Sequence, residues 1–86
     1  MNINYSKKFS KQFAKAPKKI QFAFKERLMI FMNNKFDSPL NNHQLIGEYS
    51  EYRSINITGD WRAIYEEIDD ETVYFMYLAT HSNLYG

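Results

Sequence analysis

The segment Tyr52–Tyr65, YRSINITGDWRAIY, decides how this chain can fold. Two alternating, β-branched runs meet at Thr58-Gly59-Asp60, and a Gly-Asp pair between such runs reads as the turn of a β-hairpin. The shoulder of that turn carries Asp60, Trp61 and Arg62. Tyr52–Ile57 and Trp61–Ile68 read as the two strands of that hairpin, and Thr72–Thr80 reads as the next strand, joined to the second by a polar tip, Asp69-Asp70-Glu71. The run TVYFMYLAT is apolar on both parities and is therefore expected as an interior strand. If it returns beside the hairpin, the following residues bring His81 and Tyr85 toward Asp60, Trp61 and Arg62.

Toward the N-terminus the period changes from two to about 3.6. Asn2–Tyr5 reads as a short first strand, and Ser6 stands where a helix N-cap belongs. Phe9 and Phe13 are spaced i, i+4 on one helical face, and Pro17 marks a break because its ring would disrupt a helix interior. From Lys18 to Asn34, Ile20, Phe24, Leu28 and Phe31 trace a second apolar stripe. Asn33-Asn34 is expected to close that helix in the left-handed conformation, with Phe36 tucked beneath its end. Asp37-Ser38-Pro39 opens a loop that contains His43. The order β-α-α-β-β-β predicts an α+β fold in which a small, mostly antiparallel sheet packs on an αα-hairpin.

A chain of 86 residues, 44% hydrophobic with 15 aromatic side chains, has material for one core, so residues 1–86 are expected to form a single domain. It has no cysteine, which excludes disulfides and thiolate metal sites and makes a reducing cytoplasm the expected compartment. No apolar run is long enough for a signal peptide or membrane span. The net charge of +1 conceals a strong asymmetry. Residues 1–35 carry nine Lys/Arg against Glu26 alone, a net +8, whereas residues 36–86 carry two Arg against nine Asp/Glu, a net −7. Such segregation suits a basic face that follows a phosphate backbone, and equally suits two ordinary solvated helices.

An acid, a guanidinium, an imidazole and two aromatic rings near one corner form a set able to cleave RNA without metal or cofactor. His81 is the leading candidate for general acid, because imidazole is best matched to proton transfer near neutral pH. The competing reading is a histidine that closes the last strand through a backbone bond. Asp60 reads as a base, as a group orienting one, or as ordinary turn chemistry. His43 is an alternative base, a substrate contact or an exposed loop histidine. Arg62 suits phosphate stabilisation, since its fork donates two parallel bonds. Arg53 either contacts RNA or pairs with an acidic neighbour. Trp61 and Tyr85 are candidates for base stacking, with core packing the alternative for Trp61. Lys7, Lys8, Lys11, Lys15, Lys18 and Lys19 are candidate phosphate contacts.

The element order, the run His43-Gln-Leu-Ile-Gly, the pair Tyr52-Arg53, the motif Asp60-Trp61-Arg62-Ala-Ile-Tyr65 and the ending Thr80-His81-Ser-Asn-Leu-Tyr85-Gly86 resemble the RelE/ParE superfamily of type II toxin–antitoxin toxins. Within it the chain is most similar to the YafQ-like mRNA interferases. The resemblance implies a ribosome-dependent endoribonuclease that cuts mRNA in the A site and is held inactive by a cognate antitoxin, a monomeric toxin entering a larger complex with it. It also implies functional roles for His43, Asp60, Trp61, His81 and Tyr85. The family's strand histidine falls on Asn56, which cannot exchange protons near neutral pH. Arg62 lies where RelE-like members place a phosphate-facing arginine. Two alternatives remain at this point: a ParE-like toxin directed at DNA gyrase, and a relative that has lost catalysis and retains antitoxin binding.

Overall fold

The computed structural model describes residues 1–85; of Tyr85 the backbone is described, and its side chain, with Gly86, lies outside the described residues. A five-stranded sheet is built from β1 (Asn2–Tyr5), β2 (His43–Gln44), β3 (Tyr52–Asn56), β4 (Trp61–Asp69) and β5 (Thr72–Thr80), in the spatial order β1-β5-β4-β3-β2. Strand β1 runs parallel to β5 and the other pairs are antiparallel. The expected α+β architecture is thus present, with β5 in the interior. One strand, β2, was not expected. It spans two residues and exists because His43 and Gln44 pair with Ser54 and Arg53 on the edge of the hairpin.

Helix α1 (Lys7–Lys15) begins at Ser6, whose hydroxyl accepts from the Phe9 amide and donates to the carbonyl of Met76. One side chain therefore caps the helix and fastens it to β5. Beyond Phe75, where β1 ends, α1 takes over the open edge of β5: Gln12 Oε1 accepts from the Leu78 amide at 2.8 Å. This covers an edge that would otherwise present unpaired backbone groups. Helix α2 (Lys18–Asn33) starts behind Pro17, and Gln21 donates from Nε2 to the carbonyls of Phe13 and Ala16 where α1 stops, the Phe13 carbonyl also accepting from the Ala16 amide.

Phe9, Phe24 and Phe31 from the helices meet Tyr65, Phe75 and Leu78 from the sheet in the core. Phe9 and Phe24 lie 5.2 Å apart between ring centroids, and Phe31 meets Tyr65 edge-on at 5.0 Å. Each such buried side chain contributes roughly 1.5–3 kcal/mol.

Two local expectations are corrected. Asn34 ends α2 in extended backbone (φ −158°), and the left-handed residue is Asn41 (φ 45°) in the next loop. Phe36 is 57% exposed, not tucked away, and its ring lies under the cations of Lys35 and Arg53. The last strand ends at Thr80, as its sequence bounds predict, and His81–Tyr85 form a short helix, α3.

Candidate active site

Residues directly opposite one another in a ladder share a face of the sheet. Register aligns His43, Ser54, Ile64 and Tyr77 in one row, and Asn56, Arg62 and Ala79 in the next. Ile55, Ala63, Tyr65 and Phe75 face the helices in the core, so these two rows belong to the opposite face. There a cleft of about 580 Å³ is lined by His43, Tyr49, Arg62 and His81 together with Asn41 and Leu45. Sequence-distant groups from β2, β4 and the start of α3 thus converge, as the sequence requires for His81 and Arg62 to act together.

His43 is exposed but not unconstrained. Its Nδ1 lies 2.9 Å from the carbonyl oxygen of Asn41. A carbonyl can only accept, so the proton is on Nδ1, and neutral His43 carries its lone pair on Nε2. The left-handed turn at Asn41 aims that carbonyl. Asn42 then anchors the loop from within: its Nδ2 donates to the Lys35 carbonyl at 2.8 Å and to the Tyr65 hydroxyl at 2.7 Å, while Oδ1 accepts from Arg53 Nε at 2.8 Å. Sequence reading missed both asparagines. The available signal was the Asn-Asn pair itself, since asparagine tolerates the left-handed region and offers both donor and acceptor.

Arg62 donates from Nη1 to the carbonyls of Thr58, Gly59 and Trp61, which clamps the β3–β4 turn. Among the described residues no hydrogen bond uses its Nε or Nη2, so one edge of the fork is not committed to the protein. The His81 amide donates to the Asp60 carbonyl at 2.7 Å, and this bond fixes where α3 leaves the sheet.

Asp60 and Trp61 are not among the residues lining the cleft. Asp60 is exposed and, with Trp61, Lys19 and Ile20, borders a separate depression on the helix side. Trp61 is half-buried against the core. Arg53 has an amide and the Phe36 ring as partners instead of the acidic neighbour considered from sequence. Lys8 sits 5.2 Å over the Tyr77 ring, while Lys7, Lys11, Lys15, Lys18 and Lys19 are solvent-exposed. On the same rows of the sheet, Ser54 Oγ and Asn56 Oδ1 are buried with no hydrogen-bond partner among the described residues, and Asn56 stands opposite Arg62 in the ladder. Among the described residues no group of three or more His, Cys, Asp or Glu is arranged to hold a metal ion, and no helix is long and apolar enough to cross a membrane.

The sheet and its backing helix pair match the folds of RelE-like toxins. The fold is shared with the YoeB dimer from Staphylococcus aureus (TM-score 0.77, 20% identity, 94% of this chain and 97% of that one). YafQ from E. coli strain BL21(DE3) superposes with a TM-score of 0.82 at 27% identity over 99% of this chain and 98% of that one. The E. coli DinJ–YafQ complex gives 0.80 at 28% identity, again over 99% and 98%. A search of curated proteins finds no significant match. The model of the family described as "Bacterial toxin of type II toxin-antitoxin system, YafQ" matches residues 1–86, and the chain belongs to that family.

Proposed function

We propose that this protein is an mRNA endoribonuclease that works in the ribosomal A site and is restrained in the bacterial cytoplasm by an antitoxin protein. The observation that carries this reading is the contact of His43 Nδ1 with the Asn41 carbonyl, in the cleft that also holds Arg62 and His81. With Nδ1 held by Asn41, Nε2 of His43 accepts the proton of a substrate 2′-hydroxyl. The 2′-oxygen bonds to the adjacent phosphorus, and the uncommitted edge of Arg62 donates to the non-bridging oxygens as charge builds there. The bond from phosphorus to the 5′-oxygen breaks, and protonated His81 supplies the proton to that leaving group. The products are a 2′,3′-cyclic phosphate and a free 5′-hydroxyl. This assignment gives the base role to His43, because Asp60 stands outside the cleft and contributes a backbone carbonyl to the placement of His81. Asn56 serves as a polar neighbour of Arg62 with no proton to exchange.

Restraint by an antitoxin is supported by the DinJ complex of E. coli YafQ and by the apolar surface that α2 leaves in solvent. Phe22 is 65% and Met29 70% exposed, one helical heptad apart, which is the kind of surface a protein partner covers.

The test is primer extension on mRNA bound to translating ribosomes, with the ends of the products identified chemically. Cuts phased to codons and bearing 5′-hydroxyls are expected from the native protein. His43→Ala and His81→Ala should each lower the cleavage rate by about 10²–10⁴-fold, and Arg62→Ala by about 10²–10³-fold. Cleavage that survives all three substitutions, or DNA breaks linked to gyrase in place of mRNA cuts, would overturn the reading.

A further inference from the structure

The cleft does not end at Arg62 and His81. Tyr49 and Leu45 also line an adjoining groove of about 290 Å³ whose other wall includes Lys8, Gln12 and Tyr77. Gln12 in turn lines a third depression, of about 200 Å³, with Lys15 and Trp61. These hollows share residues and form one path leading from the cleft along α1. The path follows from the topology. Because α1 replaces a strand along the far half of β5, pinned there by Gln12 and Ser6, one stripe of α1 borders the groove at i, i+4 and i+7. That stripe is Lys8, Gln12 and Lys15, and its two lysines stand about 10 Å apart along the helix.

We propose that this groove is a binding track for single-stranded RNA beyond the scissile linkage, with a base stacked on Tyr49 at the junction and successive phosphates received by Lys8 and Lys15. The inference rests on the nuclease reading for what occupies the cleft, and adds where the strand continues. Tyr49 is 46% exposed and borders both hollows, so its ring is available to a base passing from one to the other. Lys8 is held over Tyr77, already positioned at the groove wall. Charge selects the direction. Past Tyr49 the sheet face leads to Tyr52, which lies opposite Glu66 and next to Glu51, and those carboxylates repel a phosphate chain. Along α1 every charged side chain is a lysine. Unpaired bases stacking on aromatic rings while cations follow the backbone is the ordinary chemistry of single-strand recognition.

The experiment measures binding only, by fluorescence anisotropy of a labelled dodecamer of 2′-O-methyl RNA, which lacks the attacking hydroxyl, over a range of salt concentrations. Tyr49→Ala is expected to weaken binding about fivefold or more, and Tyr49→Phe to keep native affinity. Lys8→Gln and Lys15→Gln should each reduce the slope of log affinity against log salt by about 0.7. Lys25→Gln, which alters a different groove between the helices, should leave that slope unchanged. The inference is overturned if the dodecamer does not bind at low salt, if Tyr49→Ala binds within about twofold of native, or if Lys25→Gln changes the slope as much as Lys8→Gln. Because no cleavage is read, failure here leaves the nuclease proposal standing. Conversely, a protein that binds through this track yet never cuts mRNA would remove that proposal alone.

Discussion

Replacing Asn42 by alanine should cost this protein a large part of its stability, although the residue belongs to no helix or strand. Its side chain makes three hydrogen bonds of 2.7–2.8 Å, to the Lys35 carbonyl, the Tyr65 hydroxyl and Arg53 Nε. Two are neutral, contributing about 0.5–1.5 kcal/mol each, and the bond from a guanidinium contributes about 1.5–3 kcal/mol. The Tyr65 ring is fully buried, so the substitution also takes away a partner of its hydroxyl inside the fold. A loss of about 3 kcal/mol follows, set against the 5–15 kcal/mol typical of a small protein. Urea denaturation should register it as a lower midpoint with an unchanged slope, and heating as a fall in Tm of roughly 12–24 °C. Tyr65→Phe alone should cost only about 1 kcal/mol, because Asn42 keeps its other partners. In the double variant no hydroxyl is deprived of a partner, so the two costs should fall short of additivity by about 1 kcal/mol. If Asn42→Ala loses less than about 1 kcal/mol, or the double variant is strictly additive, the network does not hold the His43 loop as described.

The same tyrosine predicts an alkaline limit. Burial holds the Tyr65 phenol above its ordinary pKa of 10.0, so above that pH the unfolded chain ionises while the folded one keeps its proton, and stability falls as pH rises further. Tyr65→Phe should flatten that decline in urea titrations at pH 10 to 11, with Tyr5 and Tyr52, also raised chiefly by burial, retaining part of it. Ser6→Ala removes both the cap of α1 and the bond to Met76, and should cost about 1–2 kcal/mol in urea while speeding hydrogen exchange at the Phe9 amide. Asp60→Ala should leave ribosome-dependent cleavage within about threefold of native, because the carbonyl that receives the His81 amide is retained. A loss of 10²-fold or more would return the base role to the Asp60 carboxylate.

What the sequence made legible follows from how far each signal extends. Of the nine-residue strands, β4 follows directly from the turn signal at Thr58-Gly59-Asp60 and β5 is an apolar run on both parities behind a polar tip, and their register places Arg62 opposite Ala79, two residues short of His81. That geometry is why the guanidinium and the late histidine could be expected together. Strand β2 has two residues and no period to read; it appears only when β3 offers an edge. The exposure of Phe36 was likewise unreadable, since it depends on where the Arg53 cation comes to rest, and Asn42 decides that.

Asp60 shows a limit of a different kind. Residue type reports what a side chain can do, and an aspartate beside an arginine and a histidine suggests acid–base chemistry. In a tight turn the main chain is exposed as well, and here the Asp60 carbonyl carries the link to His81 while the carboxylate stands at the border of another depression. A backbone group has no sequence signature, so such a contribution becomes visible only once the turn has a conformation. The same reasoning applies to Asn41, whose carbonyl sets the tautomer of His43. Two of the cleft's orienting contacts are therefore main-chain carbonyls from turns. Their directions are fixed by a left-handed residue at one corner and by the Thr58 hydroxyl, which accepts from the Asp60 and Trp61 amides, at the other. Turn conformation, more than side-chain identity at those two positions, is what directs the carbonyls that meet the His43 ring and the His81 amide.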